Sequence, residues 1–153
     1  MTMASLPKGY ILIEGYPAVE DYLTLRKVSG LTPKNTAQAT AAIRGSWYGV
    51  YIAEEGTPEK AIAMGRVIGD GGWYFLIADM VTLPDHQRKG IADVVLKKLL
   101  ATIKERAAPG IAYVTLTADP PGKKLYEKNG FENVMPSLTG MGRLLEIPGG
   151  EEV

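Results

Sequence analysis

The chain contains no cysteine. That absence excludes disulfides, cysteine-based metal sites and a catalytic thiol. Histidine is nearly absent as well. His86 stands alone among 153 residues, so neither a histidine metal cluster nor a serine–histidine–acid triad is expected. No sign of charge dominates: Lys+Arg is 17 and Asp+Glu is 17. The whole molecule therefore has no electrostatic bias toward nucleic acid or a membrane surface. No apolar run is long enough to span a bilayer, and residues 1–9 lack the apolar core of a signal peptide. A reducing, cytoplasmic setting fits these features. Repeats and low-complexity segments are missing too. What is present is ordinary for a globular chain, 46% hydrophobic and 22% charged residues. The expectation is one domain over 1–153 with one core, its tail frayed from about residue 149.

The local signals alternate between strand and helix. Residues 10–14 read as a short strand. Residues 17–29 read as a helix, with Pro17 at its start and Gly30 just past its end. Asn35 is placed to cap a second helix, with Gln38 at the capping-box position and Gly45 as the stop. Residues 47–54 and 61–68 read as strands. Gly69-Asp70-Gly71-Gly72 then makes a tight reversal into a third, residues 73–83. These three are expected to form an antiparallel meander. Beyond them, Val95, Leu96, Leu99, Leu100 and Ile103 make one apolar stripe on a helix over 93–107, with Asp93, Lys97, Lys98, Lys104 and Glu105 off it. Residues 111–118 read as a strand parallel to 73–83 through a βαβ crossover. A short helix over 121–128 closes at Asn129-Gly130, and residues 131–135 and 141–147 read as a final strand pair. The class is α/β, with a mixed sheet and helices on both faces.

Between the third strand and the long helix lies Gln87-Arg88-Lys89-Gly90-Ile91-Ala92. A glycine-containing basic turn at a helix start suits a phosphate, because first-turn N–H groups have no partner within the helix and the helix dipole adds positive charge. From His86 to Arg106, Arg88, Lys89, Lys97, Lys98, Lys104 and Arg106 outnumber Asp93 and Glu105. Charged turns are also common on solvated helices. A Walker A loop is absent. Gly69-Asp70-Gly71-Gly72 lies between two strands, the wrong context for a dinucleotide fingerprint.

What stands at residues 87–92 is Q-x-x-G-x-A, and Leu125-Tyr126-Glu127-Lys128-Asn129-Gly130-Phe131 follows downstream. The two segments resemble the [QR]-x-x-G-x-[GA] signature and the L-Y-E-K-x-G-F motif of the GNAT superfamily of acyl-CoA-dependent N-acyltransferases. Their separation and the order of elements agree with that family along nearly the whole chain. The resemblance implies a GNAT-like mixed, mostly antiparallel sheet of about six to seven strands, with a splayed central parallel strand pair. It also implies acetyl-CoA as acyl donor, with no metal. Gln87, Arg88, Lys89, Gly90, Ile91 and Ala92 would hold its pyrophosphate, Gly90 and Ala92 being small enough for close backbone approach. N–H groups from Arg88 to Asp93 would form an anion nest. Backbone groups of Met80, Val81 and Thr82 would orient the thioester.

By the same resemblance, Tyr126 lies near the sulfur. A phenol with a pKa of ~10 is protonated at neutral pH and suited to donate to a leaving thiolate. The base is less legible. The glutamate used elsewhere in the family falls here near Phe75 and Leu76, which leaves Asp79 as the strand's one carboxylate. Alternation places it with Ile77 and Val81. Its readings are proton acceptor through water, counter-charge to the amine, or structural aspartate. Asp119 stands where many members carry asparagine at a pantetheine contact. Arg26, Leu31, Trp73 and Tyr74 are the acceptor-site candidates. The expected reaction is direct transfer to a small primary amine in a ternary complex, with homodimerisation possible. The alternatives are an acyl-CoA-binding sensor module, a protein or peptide N-acetyltransferase, and an enzyme for longer acyl chains.

Overall fold

A computed structural model describes residues 5–153; the first four residues of the N-terminal stretch read above lie outside it. The order is β1 Tyr10–Glu14, α1 Val19–Val28, α2 Thr36–Gly45, β2 Tyr48–Glu54, β3 Ala61–Gly69, β4 Tyr74–Thr82, α3 Ile91–Arg106, β5 Tyr113–Thr115 and α4 Lys123–Lys128. Single 3-10 turns precede α3 and α4, at Pro84–His86 and Pro120–Gly122. The described sheet has five strands in the order β1-β2-β3-β4-β5. The first four pair antiparallel and β4–β5 is parallel.

Local chemistry accounts for most boundaries. The Asn35 side chain accepts from the Gln38 N–H and the Gln38 side chain accepts from the Asn35 N–H, so the capping box at the α2 start is closed. Asp70 Oδ1 accepts from the N–H groups of Gly72, Trp73 and Tyr74 at 2.8, 3.1 and 3.2 Å. That fixes the β3–β4 hairpin, as its glycine-rich sequence predicted.

The sheet is sandwiched. On one face α3 lays Ile91, Val95, Leu96, Leu99 and Ile103 against Tyr48, Val50, Ile52, Val67, Phe75 and Ile77. On the other, Tyr22, Leu25 and Ala39 of α1 and α2 pack with Met64 and Val81. Gly65 makes the first packing possible: a Cβ there would sit 2.6 Å from Met80 Sδ and 2.7 Å from Val95. Burying a side chain such as Leu99 or Phe75 contributes about 1.5–3 kcal/mol, so the core rather than helix propensity holds α3 to the strands.

Four expectations are corrected. There are five strands among the described residues, not six to seven. Residues 131–135 and 141–147, expected as a final strand pair, form no ladder. Pro136, Gly140 and Gly142 interrupt that stretch, and proline and glycine weaken strand pairing. Met141, Leu144, Leu145 and Ile147 are consequently exposed. The parallel pair is also not central, because β5 is the last strand in the order. β5 is three residues long rather than eight, because it meets β4 only at Tyr74↔Tyr113, Phe75↔Val114 and Leu76↔Thr115. Past Leu76 the two chains part, so the edge of β4 from Ile77 to Thr82 faces a gap.

Candidate active site

The gap between β4 and β5 is bounded by a bulge. In the β3–β4 register, Arg66 faces Ala78 and Met64 faces Val81, so Gly65 stands opposite two residues, Asp79 and Met80. Asp79 absorbs the extra residue with φ 53, one of two non-glycine positive φ values among the described residues. The insertion resets the alternation. Phe75, Ile77 and Met80 face α3, while Val81 faces α1 and α2. Asp79 reaches α1 through Tyr22 and Arg26. It therefore shares a face with Val81 but not with Ile77, contrary to simple alternation.

The second such residue is Arg88, φ 60, on the loop that leads into α3. Gly90 follows as N-cap with φ 77, a backbone region that side-chain-bearing residues adopt at a cost of roughly 1–2 kcal/mol. No side chain caps this helix. The N–H groups of Arg88, Lys89, Gly90, Ile91, Ala92 and Asp93 all lack an acceptor among the described residues, the first bond being Val94 N–H to the Gly90 carbonyl. A Cβ on Gly90 would meet no protein atom within 4 Å. The result is a run of six acceptor-less donors at the positive end of a 16-residue helix. Gln87 is exposed, and its amide donates to the Thr82 carbonyl at 3.0 Å, which pins the loop to the end of β4. His86 shares a 2.7 Å hydrogen bond with Tyr10, which ties the base of the loop to β1.

The basic surplus expected around this helix is largely neutralised. Lys97 pairs with Asp93 at 2.6 Å, and Lys98 and Arg106 pair with Glu14 at 3.2 and 3.8 Å. Arg88 and Lys89 remain on the loop itself, Lys89 donating to Tyr10 Oη at 3.2 Å. The anion-binding capacity is thus built mainly from backbone.

Tyr126 lies on α4, half-buried, with its ring edge-on to Phe131. It lines a cavity of about 870 Å³ between β5, α4 and residues 129–134. Burial raises its pKa, and the charge of Asp119 adds to the effect, so the phenol holds its proton at neutral pH. The placement of α4 depends on residues that the sequence reading missed. Asp93, expected on the solvated side of α3, is buried. It accepts from Asn129 at 2.9 Å and pairs with Lys128 at 3.3 Å. The helix carrying Tyr126 is thereby tied to the first turn of the loop helix.

On the opposite face, Asp79 gathers Tyr22, Arg26 and Arg66. Tyr22 Oη and Arg26 Nη1 donate to it, and Arg66 Nε donates at 2.7 Å. Burial works to raise the Asp79 pKa, but the hydrogen bond from Tyr22 and the charges of Arg66 and Arg26 outweigh it. The carboxyl is held below its ordinary range. Leu31 packs beside this group, its N–H bonded to the Arg26 carbonyl at 2.9 Å. Sequence reasoning named Arg26 and Asp79 but not Arg66, Tyr22 or Lys34. Arg66 faces Ala78, one residue before Asp79, and meets the carboxylate only because the bulge turns Asp79 toward it, so the sequence carried no direct signal for the pair.

Trp73 and Tyr74 are not brought to this place. Tyr74 opens β4 and Trp73 precedes it, roughly 16 Å or more from Asp79 at about 3.3 Å per residue; the two rings meet edge-on, and Tyr74 also meets Tyr113. Asp119 stands at the N-cap position of the 3-10 turn before α4, its carbonyl accepting from the Gly122 N–H at 2.9 Å and its side chain capping nothing.

The chain was also compared with known proteins. Residues 46–133 match the family model described as an acetyltransferase (GNAT) domain. An uncharacterized N-acetyltransferase, ycf52, of Pyropia yezoensis is 29% identical over 90 residues, covering 59% of this chain and 50% of that one. This chain thus matches about half the length of that curated relative. A probable acetyltransferase of unknown function from meticillin-resistant Staphylococcus aureus is 32% identical, with a TM-score of 0.81, covering 89% of this chain and 99% of that one. A GNAT-family acetyltransferase from Streptococcus pneumoniae TIGR4 shares the fold at 24% identity, with a TM-score of 0.72 over 90% and 99% of the two chains.

Proposed function

Because this chain belongs to the GNAT acetyltransferase family, we propose that it moves the acetyl group of acetyl-CoA to a primary amine on a small molecule, by direct attack in a ternary complex. The observation that carries the reading is the run of acceptor-less N–H groups from Arg88 to Asp93, beside the gap at the end of β4. That run suits a pyrophosphate, and the open space over Gly90 suits close approach. Met80, Val81 and Thr82 lie on the strand edge that borders the gap, and their backbone groups are assigned to orient the thioester, the Thr82 carbonyl also accepting from the Gln87 amide. Acetyl-CoA supplies the activated acyl carbon.

The remaining work falls to the protein's own side chains. The neutral amine nitrogen forms the new C–N bond and gives its surplus proton to water, the C–S bond breaks, and the departing sulfur takes a proton from the enzyme, which water restores. Tyr126 is assigned as that donor, since its raised pKa keeps the phenol protonated. Asp79 is assigned to positioning rather than to proton abstraction. Its two oxygens are engaged by three donors and its pKa is depressed, which makes it a poor base. Arg26 and Leu31 belong to the acceptor side in this reading; Trp73 and Tyr74 do not. The assembly is proposed as a homodimer, supported by the outer edge of β5 and the exposed Met141, Leu144, Leu145 and Ile147, which a second copy can cover.

The test is free-thiol release from acetyl-CoA across a panel of amines, with calorimetry for acetyl-CoA itself. Transfer predicts amine-dependent thiol release. Binding without release for any amine turns the reading to a sensor module, and absence of binding overturns it. Parallel double-reciprocal plots together with covalently held acetyl label overturn direct transfer.

A further inference from the structure

Around Asp79 the charges do not balance. Arg26 and Arg66 converge on one carboxylate, so one positive charge is left over in a place largely removed from water: the two side chains are 11% and 13% exposed. Surplus charge is costly where water is scarce, unless an opposite charge arrives to pair with it. Beside them is a cavity of about 210 Å³, bounded by α1 and α2, whose wall includes Arg26, Arg66, Lys34, Tyr22 and Gln38. The wall holds three cations and no carboxylate. Lys34 has no ion-pair partner among the described residues. Arg66 spends Nε on Asp79 and Nη1 on Ser46 Oγ at 3.0 Å, which leaves Nη2 without a partner among them. Arg26, by contrast, is fully engaged, its Nε and Nη2 bonded to the Thr32 carbonyl at 3.2 and 2.8 Å.

We infer that the acceptor is an amine that also carries an anionic group, a carboxylate or a phosphate, and that Arg66 and Lys34 bind that group in this cavity. Asp79, whose charge is secured by its partners, holds the two guanidinium planes in place. The cavity lies on the α1–α2 face of the same bulge whose next residue, Met80, borders the acyl gap. An anion held there leaves the amine of the same molecule a few bonds from the β4 edge. The inference rests on the acetyl-transfer reading, and it names the class of acceptor that reading leaves open. The loop at Arg88–Asp93 is a separate anion site, made of backbone rather than side chains.

Two measurements decide it. In the first, matched acceptors are compared by thiol release: an amino acid against its amide, and an amino sugar phosphate against the sugar without phosphate. We expect kcat/KM to fall at least ~10-fold when the anion is removed, through KM. Whichever pair shows the larger fall identifies carboxylate or phosphate as the group. In Lys34→Gln that difference should shrink several-fold, with acetyl-CoA affinity by calorimetry unchanged. Equal turnover within both pairs, or an equal loss for both members in the variant, overturns the inference and leaves acetyl transfer standing. The second measurement needs no turnover. Protein saturated with CoA, so that the loop is blocked, is titrated with inorganic phosphate. Saturable binding that weakens in Lys34→Gln supports the site, and no binding, or binding unchanged by the variant, overturns it. Failure of the protein to bind acetyl-CoA at all sinks the transfer reading instead.

Discussion

The two halves of the site are made of different material. The proposed donor loop is backbone: consecutive N–H groups from Arg88 to Asp93, presented by one turn and one helix. The proposed acceptor face is side chain: Tyr22, Arg26, Arg66 and Asp79, drawn from α1, β3 and β4 and converging on one carboxylate. A backbone site needs little from its residues except the conformation they permit. A side-chain site needs each member by identity and is held by charge. The loop should therefore fail through geometry and lose ligand, whereas the acceptor face should fail through electrostatics and lose stability.

The largest effect expected is at Asp79. Asp79→Asn leaves two buried guanidiniums without their counter-charge, and breaking such a pair costs about 3–5 kcal/mol. Urea unfolding at neutral pH should show it as a lower midpoint. The pH dependence has a definite sign. The folded-state pKa of Asp79 lies below the ordinary value. Its contribution is therefore fully present above the unfolded pKa of ~3.9 and is lost as pH falls through the folded pKa. The wild-type advantage over Asp79→Asn should hold steady above about pH 5 and shrink as the solution is acidified below about pH 4. A variant as stable as wild type at pH 7 breaks the contrast between the halves.

Next is Gly90. Gly90→Val puts a β-branched residue at φ 77, where its Cβ meets no protein atom within 4 Å. Folding should suffer only the backbone strain, about 1–2 kcal/mol. Acetyl-CoA binding should suffer more, by roughly 100-fold in Kd, since the side chain fills the space over the donors and bends their row. Calorimetry alongside a melting curve separates the two. A large loss of stability with little loss of affinity would mean that the loop serves the fold rather than a ligand.

Tyr126 sharpens the comparison because it belongs to neither half. Tyr126→Phe removes one proton donor and keeps the ring that packs on Phe131. We expect kcat to fall about 10- to 100-fold, within the range for a general acid, with acetyl-CoA affinity and melting temperature nearly unchanged. Unchanged kcat with a good acceptor removes Tyr126 from the chemistry.

The same contrast explains what was legible beforehand. Gln87, Gly90 and Ala92 sit within six residues, and the conformation that a turn demands is written in glycine placement. The α2 capping box, the β3–β4 reversal and the α3 stripe are local in the same sense, and each appears where its residues put it. The Asp79 cluster joins positions separated by 13 to 57 residues, so its members carry no shared signal along the chain. A one-residue bulge moved Asp79 off the face that alternation gives Ile77. The final strand pair failed for a related reason. Apolar content at residues 131–135 and 141–147 signals burial, but a strand also needs a partner edge, and Pro136, Gly140 and Gly142 weaken one.

The smallest effect expected falls on the link that crosses the site. Asp93 caps nothing at its own helix start; it holds Asn129 and Lys128 of the α4 end and Lys97 of its own helix. Burial works to raise its pKa, but the hydrogen bonds from Asn129, Lys97 and Lys128 lower it further, so the carboxylate stays charged. Asp93→Asn keeps the shape and most of the hydrogen-bonding capacity while deleting that charge. The stability loss should be about 1–2 kcal/mol, in the range for hydrogen bonds to a charged group. What distinguishes a positioning role from a merely structural one is the kinetic split. If Asp93 sets where Tyr126 stands relative to the loop, kcat should fall several-fold while KM for acetyl-CoA barely moves. In the Tyr126→Phe background the same change should then add little, because the group being positioned is gone. Additive losses in the double variant would assign Asp93 to the donor loop alone.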